Sequence, residues 1–317
     1  MDRRRLSEAW FKWHLIEMKI GLGERNIDTL VCSEVDAEIQ RLLPRIHEHF
    51  TEKWSGSHHC DNCKSKDCSQ ALIIDGHMKG TRLVCDFMEG DICCEEIGSI
   101  TVGCNQTPVK GSYFCVNHQH SLMKVNKIET QPDTDENQHS LQCKTEKRKQ
   151  AANKHRSAGI CCAVYSCGVV VGITELFGCE SLSQVYVFLT WLWHAVQHFP
   201  RLFAYDDACH LKRYVNSRQK TAAGKFIANL TMVVDKMHFK NHVDKWCKQN
   251  VNPHKVKEFC DLNTEACEQT FKFVSQFKHA TKHMTYASYN LFHLIMCNMY
   301  NEDKIIKSTK RIKLQSH

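Results

Sequence analysis

The predicted fold depends on residues 203–210, which read Phe-Ala-Tyr-Asp-Asp-Ala-Cys-His. The short apolar, aromatic-rich run at 203–205 is typical of a buried strand in an α/β sheet. Asp206 and Asp207 follow it, where the carboxyl ends of strands face the functional crevice of such sheets. A carboxylate pair there is poorly solvated and needs a partner, most simply a divalent cation. The alternative is that one aspartate only caps the helix predicted at 208–218.

The composition is unusual in its cysteine and histidine content, with 19 Cys and 20 His among 317 residues. The N-terminus does not resemble a signal peptide, and no run of about 18 apolar residues predicts a membrane span. Cysteines in a chain without a secretion signal indicate a reducing compartment and favour zinc binding over disulfides. We therefore expect the nucleus or the cytosol. The net charge of +7 is compatible with nucleic acid, although many enzymes share it.

Composition also divides the chain, whose length fits one large domain with additions or two domains. A polar stretch, acidic and then basic, separates two regions with regular apolar patterning, as expected of an insertion or linker. The predicted parts are an N-terminal helical segment (1–57), a cysteine-cluster region that holds the first acid-bearing strand at 71–75 and a zinc-binding insertion (58–127), a polar linker (128–158), the remainder of the core (159–301) and a basic tail (302–317).

Further acids stand at the ends of apolar runs. Asp75 follows four apolar residues, and we expect residues 71–75 and 82–85 to form the two strands of a hairpin. Asp75 then has the same setting as Asp206, at the end of a buried strand. A third apolar run also ends in an acid, Asp235.

The last part of the chain is predicted to be largely helical, and one of its helices carries Glu265 and Glu268. The two glutamates are three residues apart, so they lie on the same helix face. Glu265, nearer the N-terminus, has an ordinary role in favourable interaction with the helix dipole. Glu268 lies a turn deeper, where a metal ligand is better held. Both are candidate ligands, and we favour Glu268.

One Cys/His cluster has the spacing of a structural zinc site. Cys104 is followed after ten residues by Cys115, and His118 comes three residues later. A turn between the two cysteines can bring these ligands together, and thiolates with imidazole suit tetrahedral Zn²⁺. Cys93 or Cys94 is the predicted fourth ligand. The alternative is a group of free buried cysteines.

Two further groups are candidate metal ligands. The first is a Cys-x-x-Cys pair with a third cysteine close behind, comprising Cys60, Cys63 and Cys68. A zinc half-site is favoured over a redox motif because no thioredoxin-like pattern surrounds it. The second group follows the third apolar run and comprises Asp235, His238, His242 and Cys247. Helical or turn geometry can bring His238, His242 and Cys247 together on a metal, and lone surface histidines are the alternative.

The order of these elements is that of an RNase H-like nuclease core. We therefore predict an α/β fold with an RNase H-like mixed sheet, flanking helices and a Cys/His zinc-binding insertion. Two strand-end acids and one helix-borne acid can hold two Mg²⁺ or Mn²⁺ ions about 3.5–4 Å apart for in-line displacement at a phosphodiester. Carboxylates are needed because hard cations prefer oxygen ligands.

Several of these motifs resemble the Kyakuja–Dileera–Zisupton transposases. The motifs are Leu-Ile-Ile-Asp-Gly at 72–76, Glu-Leu-Phe-Gly at 175–178 with Glu-Ser-Leu at 180–182, Tyr-Asp-Asp-Ala-Cys-His at 205–210, and Asn-Thr-Glu-Ala-Cys-Glu-Gln at 263–269. The series of His238, His242, Cys247 and the Asn-Pro at 252–253 is also similar to that family. The likeness covers roughly residues 55 to 300.

The resemblance implies roles for individual residues. Asp75 is the first acid of a DDE-type transposase, Asp206 the second, and Glu268 or Glu265 the third. Asp235-x-x-His238 is similar to the Asp-x-x-His element that follows the second acid in related transposases. Cleavage and transfer of DNA strands, with Mg²⁺ or Mn²⁺, follow as expectations.

The resemblance also sets the expected partners. We expect DNA at transposon ends, a nuclear location, no membrane and, as one option, a homo-oligomer. The chain is short for an autonomous transposase, which leaves open a fragment or a host protein derived from a transposon. The alternative function is therefore a catalytically inactive, zinc-binding DNA- or protein-interaction module.

Overall fold

The computed structural model describes residues 2–25, 27, 34–56, 68–123 and 155–315. Its strands are β1 (Ala71–His77), β2 (Asp91–Cys94), β3 (Gly98–Thr101), β4 (Gly159–Tyr165), β5 (Val170–Leu176), β6 (Leu202–Tyr205) and β7 (Thr231–Val233). Its helices are α1 (Arg3–Gly21), α2 (Val35–Gly56), α3 (Leu182–Ala195), α4 (Ala208–Asn216), α5 (Ala222–Ala228), α6 (Lys236–Phe239), α7 (Lys245–Asn250), α8 (Ala266–Val274), α9 (Lys278–Thr281) and α10 (Tyr286–Gln315). The chain is therefore mixed α/β, as predicted.

A five-stranded mixed sheet forms the centre of the molecule, in the order β5-β4-β1-β6-β7. β4 runs antiparallel to both β5 and β1, whereas β6 runs parallel to both β1 and β7. All residues of β4 and β6 are buried. Such continuous burial explains the unbroken apolar runs in the sequence, since strands covered on both faces need no polar alternation.

The register of β1 and β6 places two carboxylates together. Ile74 pairs with Tyr205 in this parallel ladder, and the next residue on each strand is an aspartate. Asp75 and Asp206 therefore lie side by side at the same edge. Asp206 directly follows the end of β6, whereas β1 continues to His77, so Asp75 lies two residues before the end of its strand rather than at the predicted end.

Helices cover the sheet through apolar faces. α2 buries Ile39, Leu42, Ile46 and Phe50, whose spacing of three and four residues marks one helix face. It packs against α10 and β5, while α8 packs on β1 and β4. α3 begins at its cap Ser181, whose side chain accepts a hydrogen bond from the backbone N–H of Gln184.

The predicted hairpin of residues 71–75 with 82–85 is wrong. β1 instead pairs with β4 and β6, and residues 82–85 form only an isolated bridge between Leu83 and Arg156. The backbone N–H of Leu83 donates to the carbonyl of Lys282. Gly76, predicted to lie in the turn, is part of β1, and the local pattern could not specify the distant strands that complete the ladder.

Two of the predicted segments, the basic tail and the polar linker, can be compared with the structure only in part. α10 runs through Gln315, so the helix continues into the predicted basic tail at 302–317. Residues 124–154, most of the predicted linker, lie outside the described residues. Within the part of the chain that is described, no helix combines the length and apolar character needed to cross a membrane.

A buried ion pair fixes the segment that follows β1. Arg82 Nη2 donates to Glu175 Oε2 at 3.0 Å, and Arg82 Nε lies 2.8 Å from the other carboxylate oxygen. Both side chains are almost fully buried, and Arg82 also donates to the carbonyl of Asn105. Burial raises the pKa of Glu175, and the nearby Arg82 charge opposes this shift. The pair therefore ties residues 82–105 to β5.

Replacing Arg82 with Met should lower the free energy of unfolding by about 3–5 kcal/mol, because Glu175 would be left buried without its counter-charge. Urea denaturation of the purified chain measures the change. The double variant Arg82→Met/Glu175→Leu is the matched control and should recover much of the loss. A single variant within about 1 kcal/mol of wild type would contradict this account.

A buried histidine should make the fold sensitive to acid. Burial lowers the pKa of His293 from 6.5 to about 4, so the folded chain holds it neutral. Its contribution to stability is present above pH 6.5 and is lost as the pH falls from there towards 4. Lowering the pH from 7.5 to 5 should therefore reduce the free energy of unfolding less in His293→Gln than in wild type. The difference should be on the order of 2 kcal/mol. Parallel stability curves for the two proteins would contradict the assignment.

Candidate active site and metal-binding clusters

Three buried carboxylates meet at the edge of the sheet. Asp75, Glu180 and Asp206 each offer an oxygen, and these atoms all lie within 4.8 Å of one another. The three residues are 8%, 4% and 7% exposed. Like charges so close in a site of low dielectric repel strongly unless a cation or a shared proton neutralises them. The geometry therefore suits a divalent cation.

Glu180 was not among the predicted site residues. It follows β5 and directly precedes the cap of α3, and the Tyr205 hydroxyl donates to its Oε1 at 2.8 Å. Burial raises the pKa of Tyr205 well above its usual range, and the Glu180 carboxylate adds to the shift. The sequence does place Glu180 after an apolar strand. Three residues separate it from the strand end, however, so the pattern is less direct than at Asp75.

Gly76 leaves the space that Glu180 occupies. A Cβ atom at this position would lie within 3.0 Å of all three carboxyl atoms of Glu180. The backbone N–H of Gly76 also donates to Asp75 Oδ1 at 2.8 Å. A glycine after the first acid thus allows the two carboxylates to converge, since any side chain would push Glu180 away.

The structure separates the two candidate glutamates of α8. Glu268 lines the cleft together with Asp75, Asp206, Asp235 and His238. Glu265 is not among the residues that line this cleft, and it occupies the N-cap position of α8 without a side-chain cap hydrogen bond.

Cys267 determines how closely α8 approaches the cleft. Its Sγ contacts the carbonyl of Ile73 on β1 at 3.3 Å and that of Cys162 on β4 at 3.5 Å. Such contacts hold the first turn of α8 across the sheet, next to the end of β1. Glu268 is exposed and lies outside the group of three buried carboxylates, so it stands at the rim of the cleft.

Asp235 and His238 form a charged pair on the cleft wall. Asp235 caps α6, its Oδ1 accepting from the backbone N–H of His238 at 2.9 Å, and its Oδ2 lies 2.7 Å from His238 Nδ1. The hydrogen bond to Asp235 raises the pKa of His238 to about 9, with further contributions from the charges of Asp235, Asp206 and Asp75. The ring is therefore positively charged near neutral pH.

Asp207 faces a different group from its neighbour Asp206. It occupies the N-cap position of α4 but makes no side-chain cap hydrogen bond, and its Oδ1 is hydrogen-bonded to His210 Nδ1. Neither residue lines the acidic cleft. Of the adjacent aspartates, Asp206 thus belongs to the carboxylate cluster and Asp207 to a neighbouring cluster of Cys and His.

Cys85, Cys104, Cys115 and His118 form the first cluster, with ligand atoms within 4.8 Å of one another. The Cys104 and Cys115 sulfurs are 4.0 Å apart, and His118 Nδ1 lies 3.5 Å from Cys85 Sγ and 3.2 Å from Cys115 Sγ. A tetrahedral zinc ion requires about 3.8 Å between two sulfurs and about 3.6 Å between sulfur and nitrogen, given its bond lengths. Burial raises the pKa of Cys104 to about 12.

The fourth member of this cluster is Cys85, which corrects the prediction of Cys93 or Cys94. Cys93 lies on β2 beside Ser99 of β3, and Cys94 Sγ lies 3.5 Å from Thr190 Oγ1 of α3. Cys85 Sγ accepts from the backbone N–H of Cys115. Proximity in sequence favoured the wrong pair because residues 91–101 form their own small hairpin, which carries both cysteines away.

A second cluster divides the predicted set of Asp235, His238, His242 and Cys247. The first two line the acidic cleft, whereas His242 and Cys247 lie with Cys209, which was not predicted. Cys209 also belongs to a group with Asp207 and His210. Both groups could hold a metal ion. Of the third predicted group, Cys60, Cys63 and the side chain of Cys68 lie outside the described residues.

Comparison with known proteins supports the resemblance seen in the motifs. The family model described as Kyakuja-Dileera-Zisupton transposase matches residues 96–298, a range that includes Asp206 and Glu268, and Asp75 precedes it. No significant match was found among curated proteins or among solved structures. A transposase family implies DNA as the molecule that is bound. Because the match covers more than half of the chain, the protein belongs to the Kyakuja–Dileera–Zisupton transposase family.

Proposed function

We propose that the chain is a DDE-type transposase that cleaves and transfers DNA strands with divalent metal ions. The observation that carries this proposal is the convergence of Asp75, Glu180 and Asp206, within 4.8 Å of one another at one edge of the sheet. Burying three carboxylates together has no structural benefit of its own, since each loses hydration and repels the others. Such groups concentrate at functional sites.

The sheet supports an RNase H-like fold for this enzyme. Three antiparallel strands, β5, β4 and β1, are continued by β6 and β7, which run parallel to β1. The acids of RNase H-like nucleases stand on the central strand, on the parallel strand beside it and on a late helix. Asp75, Asp206 and Glu268 have those settings in this chain.

The carboxylates suit Mg²⁺ or Mn²⁺, because hard cations prefer oxygen ligands. Asp75 and Asp206 would hold the ions, with Glu180 beside them and Glu268 at the rim. When bound, the ions would activate a water or a DNA 3′-hydroxyl and stabilise the leaving oxygen. Asp75, Glu180 and Asp206 are themselves buried, and a low local dielectric strengthens their interactions with a bound charge.

The remaining side chains orient the acids and the DNA. Tyr205 donates to Glu180 and so fixes the direction of that carboxylate. His238 is positively charged near neutral pH and stands on the cleft wall, where it can attract a phosphate. Asp235 holds the ring in place through a hydrogen bond with Nδ1, and its other oxygen accepts from the backbone N–H of His238. A DNA-processing role also fits the proposed nuclear location.

The first test is a metal-dependent nicking assay on plasmid DNA. Cleavage should fall by more than about 100-fold in each of the variants Asp75→Asn, Asp206→Asn and Glu180→Gln. Losing a residue that only orients a metal ligand already costs about 10- to 100-fold. Each replacement keeps the size of the side chain and removes the charge that a cation needs. Circular dichroism checks the fold. Wild-type cleavage by a folded variant would remove that acid from the site, and a wild-type chain that never cuts would favour a binding module.

A second comparison ranks the two glutamates of α8. Glu268→Gln should greatly reduce metal-dependent cleavage, because this residue lines the cleft. Glu265→Gln is the matched control and should retain most of the activity, because Glu265 is not among the residues lining the cleft. The reverse order would show that the outer glutamate is the ligand. Equal and negligible effects would show that neither takes part.

We also propose a structural Zn²⁺ ion at Cys85, Cys104, Cys115 and His118, because their atom separations match a tetrahedral site and the burial of the thiols suits a closed one. Cys85→Ser should remove one zinc per chain by elemental analysis and lower stability, since metal binding adds folding free energy. Cys93→Ser should keep the full zinc content. The opposite result for the two serine variants would restore the assignment made from the sequence.

A further inference from the structure

A second Cys/His cluster lies next to the carboxylate cleft. Cys209 stands in the first turn of α4, three residues after Asp206, whereas His242 lies between α6 and α7 and Cys247 lies in α7. Cys209 and Cys247 are fully buried, and His242 is 5% exposed. Their ligand atoms lie within 4.8 Å of one another although more than thirty residues separate Cys209 from His242.

The separations fit a tetrahedral metal ion. Cys209 Sγ lies 3.6 Å from His242 Nδ1. Zinc bound to both would require about 3.6 Å between sulfur and imidazole nitrogen. A hydrogen bond from a neutral thiol also accounts for one such contact. It does not account for a second thiol, Cys247, converging on the same point at zero exposure.

The hydrogen-bonded pair of Asp207 and His210 forms a separate group with Cys209, from which one side chain would have to move towards His242 and Cys247 to supply a fourth ligand. His210 Nδ1 lies 3.4 Å from Cys209 Sγ, and Asp207 Oδ1 lies 3.8 Å from it. Both side chains are buried. Two thiolates, one imidazole and one further nitrogen or oxygen make a donor set that zinc binds in proteins. Cysteine ligands make Mg²⁺ or Ca²⁺ unsuitable, since these ions prefer oxygen.

We propose that Cys209, His242 and Cys247, with a fourth ligand from the Asp207–His210 pair, bind a second Zn²⁺ ion. This ion joins the start of α4, which follows Asp206, to the segment that follows His238 on α6. Both sides of the carboxylate cleft are thereby fixed to one point. The proposal is independent of DNA cleavage, because zinc content is measured whether or not the acids are catalytic.

Elemental analysis of the purified chain tests the proposal. Cys247→Ala and His242→Ala should each bind one zinc fewer than wild type. Combining either with Cys85→Ser should remove two, because the two clusters share no residue. Cys260→Ser is the matched control: this cysteine is exposed, belongs to neither cluster and should keep the full zinc content. Cys247→His should also keep it, since imidazole can replace the thiolate.

Unchanged zinc in Cys247→Ala and His242→Ala would overturn the proposal. Because such variants can misfold, a second measurement uses the wild-type chain. Removing zinc with a strong chelator should make Cys209 and Cys247 react with iodoacetamide, located by mass spectrometry. Cys162 and Cys297, buried outside both clusters, should remain protected. Continued protection of Cys209 and Cys247 after complete zinc removal would equally overturn it.

Discussion

The parallel pairing of β1 with β6 is the constraint on which the rest of the structure depends. Because Ile74 lies opposite Tyr205, the residues that follow them, Asp75 and Asp206, lie side by side where β6 ends. Repulsion between buried carboxylates opposes this arrangement, and the proposed divalent cation would offset it. The surrounding residues support this arrangement. Gly76 makes room for Glu180, Tyr205 orients the Glu180 carboxylate, and Cys267 in α8 lets that helix approach the strands.

The cleft is assembled from segments that the sheet alone does not hold. Its acids and its histidine come from β1, the loop before α3, the end of β6, α6 and α8. A buried ion pair, Arg82 with Glu175, secures the chain that follows β1, and two Cys/His clusters gather loops around the edge of the sheet. The ion pair therefore adds to the packing of the helices on the sheet in holding these segments together.

The sequence was sufficient to predict the strand that contains Asp75 and the strand that ends before Asp206, because fully buried strands read as apolar runs. The helix that carries Glu268 was also predicted, and Glu268 was favoured over Glu265 for its deeper position, but the spacing could not show that Glu265 would sit at the N-cap, away from the cleft lining. Glu180, Cys85 and Cys209 were missed, and the hairpin at 71–85 was wrong. All four errors have one cause: these residues are placed by pairing between distant segments, and local periodicity carries no information about such pairing.

The central claim is that the buried acids form a site for divalent metal ions. The most direct measurement is anomalous diffraction from crystals of the chain soaked in Mn²⁺, recorded at the manganese absorption edge. The account predicts a peak between the carboxylates of Asp75 and Asp206, within coordination distance of both. Manganese bound only at other surface acids, or no peak in the cleft at concentrations that support DNA cleavage, would contradict it.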